Sequence, residues 1–359
     1  MKTRAIAFFT VIFSTFAVVA AETPAPPKAS ELLDKYKAAL DGMQSISLTV
    51  EGSLDSSNQF NRPVGPSDSF DGTKISGRPM RRYFKFECRS DGKRLTLRQY
   101  NWGNVGSATQ WTPAEQPAYN SCFWDGRQMY AQNKGINKPG SVGLVTLANL
   151  SADSQPVLWQ FTEFGEMRGY LPPTEQRMDA IVRAARSLSV RPRTESVNGS
   201  ACYVIDAATD QGKVCLWIDP AHGYMAAKAT RNIVPSNVRL RQRVPAGSTE
   251  QGSWEVVRFE QKGDVWVPVE MKVANHMNFA QTHEFSHVTA TYKCTEVILN
   301  PDHDALHSFD WRFDPELKEG AKFHFSDRLD NYIWQGGKLV PDPVHPRSGV
   351  RPRGITSPL

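Results

Sequence analysis

The residues best suited to chemistry in this 359-residue chain are His283, Glu284 and His287, which form a His-Glu-x-x-His motif. On a helix, two imidazoles four residues apart lie on one face and bind a single zinc ion, while the glutamate activates a water molecule. A site of this kind would make the protein a zinc-dependent hydrolase. The motif therefore predicts hydrolysis only if its segment is helical.

The residues that follow the motif favour a strand instead. From residue 288 to residue 295 apolar and polar side chains alternate, and β-forming types occur on both faces. On a strand, residues four apart are separated by about 13 Å, and Glu284 would face away from both histidines. We therefore expect no catalytic residue, no metal and no cofactor, and the zinc hydrolase using His283, Glu284 and His287 stays as an alternative.

A second pair of histidines, His303 and His307, is also spaced by four residues. Asp302 and Asp304 could add oxygen ligands to a metal there. The polar surroundings of this pair are more typical of a solvated loop or short turn, which is the interpretation we prefer. The sequence contains no nucleophile elbow, phosphate loop or dinucleotide-binding fingerprint.

The N-terminus has the pattern of a secretory signal. Lys2 and Arg4 precede an apolar run over residues 5–19, and small residues follow it. We predict a signal peptide over residues 1–21 and a Pro-rich linker over residues 22–29. The alternative is an uncleaved anchor, although the run is shorter than the about 20 residues that a span needs. After cleavage we expect a periplasmic or secreted protein of a bacterial cell envelope that does not span the membrane.

Charge and composition indicate one large globular domain and no nucleic-acid partner. Removal of Lys2 and Arg4 lowers the formal charge from +5 to +3 (5 − 2), and the basic stretches at residues 78–82 and 183–193 have the pattern of solvated edges. With 40% hydrophobic residues the chain can build a real core. We place a single domain over residues 30–340 and a Pro- and Arg-rich disordered tail over residues 341–359.

Five cysteines allow two disulfides and one thiol in 15 pairings, from five choices of the odd cysteine and three connectivities for each. Cys202 and Cys215 flank one predicted turn. The register of that turn places Cys215 opposite Asp206, so these two cysteines do not form a cross-strand pair. We expect most of the cysteines to be small core residues.

Hairpin turns between runs of Val, Ile, Tyr, Phe and Trp predict an antiparallel sheet. With Asp91 and Gly92 at the two central turn positions, Cys88 is expected opposite Leu95. A second hairpin is predicted in the same way around residues 125–126. In both, apolar residues share one face of the sheet.

Two helices and one strand with two apolar faces complete the predicted core. Apolar residues recur at helical spacing over residues 30–42, with Ser30 as the N-cap, and over residues 174–188. Trp217 lies in the segment 214–218, where both strand faces are apolar. One face is therefore expected to pack on helices, and the other on a second layer or a ligand cavity to which Trp217 would contribute.

The order of several short motifs resembles a known superfamily. The motifs are Leu32, Leu33 and Tyr36 in the first predicted helix, Arg78-Pro79, Trp124-Asp125-Gly126, residues 198–205, residues 216–220 and Trp266-Val267-Pro268. In this order, over about residues 30–340, the chain is similar to LolA-like periplasmic lipoprotein carriers of the outer-membrane lipoprotein-sorting superfamily. It looks like a longer and divergent member.

The resemblance implies an α+β fold, in which a strongly curved antiparallel β-sheet (a half-barrel) has helices packed on its concave side. It also implies an apolar cavity for a lipid or the acyl chains of lipoproteins, with no cofactor and no covalent chemistry. Arg78 matches a position that helps to hold the helical lid in the family. The resulting hypothesis is an exported lipid or lipoprotein carrier. The remaining alternative is an envelope regulatory or interaction protein with a protein partner.

Overall fold

The computed structural model describes residues 26–59, 69–70, 73–74, 80–102, 117–134, 144–149, 165–170, 177–210, 212–233, 238–239, 242–243, 247–280, 284–325 and 331–342. Strands dominate this part of the chain. Its helices are α1 (Ala29–Asp41) and α2 (Met178–Arg183). Its strands are β1 (Ser45–Gln59), β2 (Ser69–Phe70), β3 (Thr73–Lys74), β4 (Met80–Asp91), β5 (Leu95–Trp102), β6 (Ala118–Trp124), β7 (Gln128–Lys134), β8 (Leu144–Asn149), β9 (Ser187–Val190), β10 (Glu195–Val197), β11 (Ser200–Thr209), β12 (Gly212–Asp219), β13 (Met225–Ile233), β14 (Val238–Arg239), β15 (Gln242–Arg243), β16 (Thr249–Lys262), β17 (Val265–Phe279), β18 (Glu284–Leu299), β19 (Lys322–Phe325), β20 (Asn331–Gln335) and β21 (Lys338–Pro341).

Seventeen of these strands form one sheet. The backbone pairings give the order β11, β12, β13, β16, β17, β18, β1, β4, β5, β6, β7, β8, β19, β20 and β21, and both β9 and β10 pair with the outer edge of β11. Neighbours are antiparallel except β8 and β19, which are parallel. β1 lies in the middle, between β18 and β4. The prediction of a large, mainly antiparallel sheet is confirmed.

Both helices pack on the same face of this sheet. Leu33 and Tyr36 of α1 and Ile181 and Val182 of α2 are buried in a continuous apolar cluster with residues from strands across the sheet. We call this cluster the main core. Its sheet residues include Val50, Phe86, Leu97, Ile205, Leu216, Val256, Met271 and Tyr292.

The predicted helices differ from the observed ones at their ends. α1 begins at Ala29, so Ser30 lies inside the helix, and Lys28 takes the N-cap position without a side-chain hydrogen bond. α2 spans only Met178–Arg183, because the residues after it pair with the edge of β11 as strand β9. Among the described residues of the predicted segment (177–188), the helix covers Met178–Arg183.

The register of the first predicted hairpin is wrong by two residues. Cys88 lies opposite Leu97 rather than Leu95. Asp91 takes the first position of a four-residue turn, where its carboxylate accepts a hydrogen bond from the backbone N–H of Arg94 at 2.6 Å. The second predicted hairpin shows the same shift with the same aspartate geometry. A shift of two positions preserves the faces, so the apolar residues still point into the main core.

A segment that we call the strap (residues 300–321, between β18 and β19) covers part of the opposite face of the sheet. Arg89 Nη1 donates to the carbonyl of Leu306 at 3.0 Å, and the hydroxyl of Thr96 donates to the carbonyl of Ser308. Farther along the strap, the buried carboxylate of Asp314 accepts hydrogen bonds from two side-chain hydroxyls of β6. This face of β4, β5 and β6 is therefore covered by the chain itself.

All five cysteines are described and are free thiols. Cys88 and Cys294 lie in the main core, and Cys122 packs against it. Cys202 and Cys215 belong to a smaller cluster on the opposite face. Cys215 lies opposite Asp206, as predicted. The expectation that most of the cysteines are small core residues is confirmed, and none of the 15 possible disulfide pairings forms.

Among the described residues, no helix is long and apolar enough to cross a membrane. The predicted signal peptide, Arg78 and His283 lie outside the described residues, as does the predicted tail from residue 343 onward. The first residue of that tail, Pro341, belongs to β21.

Candidate functional site

The zinc-binding motif lies on a strand. β18 begins at Glu284 and includes His287, so this segment is extended. His287 faces His276 of β17 across the ladder, with ring centroids 5.7 Å apart, and His276 Nε2 lies 3.0 Å from Asn278 Oδ1. Within the described ranges, no three or more His, Cys, Asp or Glu residues are grouped to hold a metal. The strand interpretation is confirmed, and the helical geometry that zinc hydrolysis requires is not formed by residues 284–287.

The second histidine pair has a structural role in the strap. The ring nitrogens of His303 lie 3.3 Å from Ser45 Oγ and 3.1 Å from Ser308 Oγ, and burial lowers the pKa of this imidazole. His307 instead stacks on Phe313, with ring centroids 3.9 Å apart. The two side chains therefore have separate partners. The interpretation as a turn is confirmed, but His303 is buried and not solvated.

Trp217 lies on the face of β12 opposite the helices. It is buried in a small cluster, and its indole Nε1 donates to Glu195 Oε2 at 2.9 Å. The charged groups of Arg191 and Lys228 lie over its ring, at 5.7 and 5.4 Å from the centroid. The other members of the cluster are Val197, Cys202, Val204 and Ala227. The assignment of Trp217 to a ligand cavity stays a prediction, as does the role of Arg78.

Ion pairs at the rim join the two helices. Arg177, directly before α2, contacts the last residue of α1 through a 2.6 Å pair between its Nη1 and Asp41 Oδ1. It also contacts Asp179 through its Nε at 2.9 Å. A second pair, Arg183 Nη2 with Asp34 Oδ1, measures 2.6 Å. The helices are thus linked to each other by charges and to the sheet by apolar side chains.

A buried turn fills the space under α1. Gly165–Arg168 forms one turn of 3-10 helix, and all four of its residues are buried. Met167 belongs to the main core. A Cβ atom on Gly169, which follows, would lie 2.6 Å from a methyl carbon of Leu40 and 2.9 Å from the hydroxyl of Tyr36. This glycine is required because α1 approaches the turn closely.

Polar residues replace apolar ones along one rung of the helix-covered face. Arg231 of β13 lies opposite Gly252 of β16, which lies opposite Asn275 of β17. The rung continues through Val288 of β18 to Ser56 of β1. We call Arg231, Gly252, Asn275 and Ser56 the polar row. At ~4.8 Å per strand it spans about 19 Å.

The polar row borders the main core directly. Side chains two residues apart on a strand share a face, and each member of the row is two positions from a residue of the main core or one packed against it. These neighbours are Ala229, Trp254, Val273 and Leu54. On these strands the main core therefore ends at a rung that has three polar side chains, one glycine and Val288.

Arg231 crosses the row above Gly252. A Cβ atom at position 252 would overlap Arg231 Nε, so the glycine makes room for the guanidinium. Arg231 Nη2 donates to Oε1 of Glu250, a fully buried carboxylate, at 2.6 Å. Burial lowers the pKa of Arg231, and the negative charge of Glu166 raises it part of the way back. The guanidinium cation of Arg231 is thus stabilised inside the protein by two acidic residues, Glu250 and Glu166.

Several buried polar atoms at this place have no hydrogen-bond partner among the described residues. They are Arg231 Nε and Nη1, Trp254 Nε1, Asn275 Oδ1 and Ser56 Oγ. Each buried polar group left in this state costs about 1–3 kcal/mol. Buried polar groups of this kind are usually satisfied by ordered water or by a ligand, and here they are concentrated on one rung and beside it.

The polar row is not evident from the sequence. A signal was present in the alternation of β13, where Arg231 takes an inward position two residues after Ala229. An inward charge in a strand of apolar residues indicates a buried partner or a ligand. The pairing of Arg231 with Gly252, however, depends on a strand register that the sequence does not reveal.

Comparison with known proteins assigns no family. No protein-family model matches the chain, and no curated protein matches it. Among solved structures, a DUF1329 family protein from Desulfovibrio piger is similar over 76% of this chain and 93% of its own, at 11% identity and a TM-score of 0.33. MucB in complex with MucA(peri) is similar over 76% of this chain and 100% of its own, at 10% identity and a TM-score of 0.22. Neither score is high enough to establish a shared fold or a function.

Proposed function

We propose that this chain is an exported binding protein that carries a lipid or the acyl chains of a lipoprotein in the periplasm or outside the cell. The acyl chain lies between the sheet and helices α1 and α2. In this proposal the sheet is strongly curved and the helices occupy its concave side. No covalent chemistry takes place.

One observation carries this proposal. The helices and the sheet contribute to a single apolar cluster. The two helices are joined to each other by ion pairs such as that between Arg177 and Asp41. Because apolar contacts link the helices to the sheet, few directional bonds must break when the helices separate from it as a lid. The exposed face would then accept a hydrocarbon chain.

The apolar area that an acyl chain buries on binding supplies its affinity for the protein. An acyl chain that leaves water gains ~0.8 kcal/mol for each buried methylene group. A chain of ordinary length therefore binds tightly without special residues, provided that the lid opens. The signal-like N-terminus and the LolA-like order of motifs support the same function. The envelope protein that delivers or receives the cargo stays a prediction.

Native mass spectrometry of protein purified from its own cell envelope tests the proposal. We expect added mass that corresponds to a lipid and is lost after extraction with organic solvent. The extracted protein should then take up a fluorescent fatty acid with saturable binding. Protein that retains no lipid and takes up no fatty acid would overturn the proposal.

A further inference from the structure

We infer that the polar row, together with Trp254, is the head-group site of the lid-covered face and binds the acceptor oxygens of a carboxylate or phosphate on an acyl ligand. This inference rests on the proposed function and specifies its ligand class. It follows from three features of the site, which are its unmet donors, its position and its burial.

Three N–H groups at this place are unsatisfied, and acceptor atoms lie beside them. Arg231 Nε and Nη1 and Trp254 Nε1 carry N–H groups that find no acceptor in the described part of the chain. Groups of this kind are satisfied by oxygen atoms with lone pairs, and a guanidinium favours carboxylate and phosphate. Arg231 already holds one carboxylate, that of Glu250, at 2.6 Å. A ligand anion would become a second hydrogen-bond acceptor on the same guanidinium, at Nε and Nη1, and would also lie near the negative charge of Glu166.

The position of the polar row beside the main core suits a ligand that has one apolar end and one polar end. The polar row follows directly after the main core on the same face, so a ligand lying along the strands has its hydrocarbon against apolar side chains. Its head then reaches Arg231. Asn275 Oδ1 and Ser56 Oγ, which also lack partners among the described residues, lie farther along the rung. They can accept hydrogen bonds from hydroxyl groups of a larger head.

The site is built into the protein interior. Only 8% of the Arg231 side chain is exposed, and Trp254 is 5% exposed. A guanidinium on the surface binds anions weakly because water competes, whereas a buried one gains from the low local dielectric. Gly252 has no side chain that could displace the guanidinium from this place. The site therefore discriminates between heads rather than simply attracting charge.

A displacement experiment with extracted full-length protein tests the inference. The apolar dye N-phenyl-1-naphthylamine reports occupancy, and palmitate, hexadecyl phosphate and hexadecylamine compete for it. We expect the acids to displace the dye at concentrations about tenfold lower than the amine. Whichever acid is the stronger competitor identifies carboxylate or phosphate as the preferred head.

Variants connect the preference to the residues. Arg231→Met should abolish the difference between acids and amine while dye binding persists. Arg258→Met is the matched control, since Arg258 is on the same strand, β16, as Gly252 but is about half exposed and has ion pairs of its own, and it should leave the preference unchanged. Trp254→Phe keeps an aromatic side chain and removes the N–H, so acid affinity should fall about fivefold while the apolar dye still binds.

The outcomes separate the inference from the proposed function. If the dye binds but acids and amine compete equally, or if both Arg231→Met and Trp254→Phe keep the acid preference, the inference is overturned and the carrier proposal stands. If neither the dye nor any amphiphile binds the wild type, both are overturned. Should Arg231→Met fail to fold, Trp254→Phe alone decides between these results.

Discussion

Arg177 and Asp41 form the direct charged link between the start of α2 and the end of α1, with 2.6 Å between Nη1 and Oδ1. The same guanidinium contacts Asp179 of α2, so one side chain joins the two helices. Both partners of the interhelical pair are partly buried, with 21% and 32% of their side chains exposed. The pair therefore holds the two helices of the lid together, and any opening that separates α1 from α2 must break it.

Loss of this ion pair should make it easier for the two helices of the lid to separate. For Arg177→Gln we expect a decrease of about 1 kcal/mol in the free energy of unfolding, because a partly exposed ion pair is lost. Fatty-acid uptake should become about fivefold faster, since the same free energy no longer opposes opening. Stopped-flow fluorescence with a fluorescent fatty acid measures the rate. Arg81→Gln, which breaks an exposed pair with Asp55 far from α2 in sequence, should leave uptake unchanged. Equal rates in all three proteins would contradict a lid role.

Acid should weaken the same link. Partial burial disfavours the charged form of Asp41, but hydrogen bonds from Lys37 and Arg177 outweigh it and hold the pKa of Asp41 below its ordinary value of 3.8. A carboxyl whose folded-state pKa is lowered stabilises the protein above its unfolded-state pKa, and this contribution is lost as pH falls through the folded value. Asp41→Asn should therefore lose less stability than the wild type between pH 6 and pH 3, as measured by urea unfolding. An identical loss in both proteins would show that Asp41 is not linked to the acid response.

Gly52 is required by close packing in the middle of the sheet. A Cβ atom at this position would overlap the carbonyl oxygen of Thr291 and lie 2.5 Å from the ring of Phe84. For Gly52→Ala we expect a loss of about 1–3 kcal/mol in the free energy of unfolding, as is typical of overpacked cores. Denaturant unfolding followed by tryptophan fluorescence measures it. Ser53→Ala, at the neighbouring position, should change stability by less than about 1 kcal/mol. A stable Gly52→Ala protein would mean that β1 and β18 are farther apart than described.

The thiols should stay reduced and unreactive in the folded protein. Burial raises the pKa of Cys122, Cys202 and Cys294 to about 12, and it also raises the pKa of Cys88 and Cys215. Since the thiolate is the reactive form, alkylation by iodoacetamide at pH 8 should be slow until the protein is unfolded. Mass spectrometry of protein unfolded without reductant should then show five adducts. Three or fewer adducts, restored to five by prior reduction, would demonstrate a disulfide.

Local sequence patterns predicted the strands well but not their register. The alternation around Cys88 correctly placed it on the apolar face, because side-chain direction depends only on a period of two. The opposing residue was wrong, since the Asp91 carboxylate accepts backbone N–H groups and moves the turn by one position. Where the turn was assigned correctly, as between Asp206 and Cys215, the pairing was confirmed. The register therefore depends on turn chemistry that composition alone does not fix.

The candidate site could not be predicted from the sequence for a different reason. Arg231, Gly252, Asn275 and Ser56 are distant in sequence and are brought together by pairings across β13, β16, β17, β18 and β1. No short motif contains these residues. The His-Glu-x-x-His motif shows the opposite case, in which a complete local pattern has no matching geometry because β18 is extended.

The central place of β1 determines when the fold can be completed. β4 reaches one side of β1 early in synthesis, whereas β18, which supplies the other side, ends at Leu299. A chain that emerges from its N-terminus must therefore keep one side of β1 without hydrogen bonds until most of its length is available. During this interval an extended edge is open to pairing with other chains. Escort by a chaperone until the late strand arrives would protect the newly made protein from aggregation.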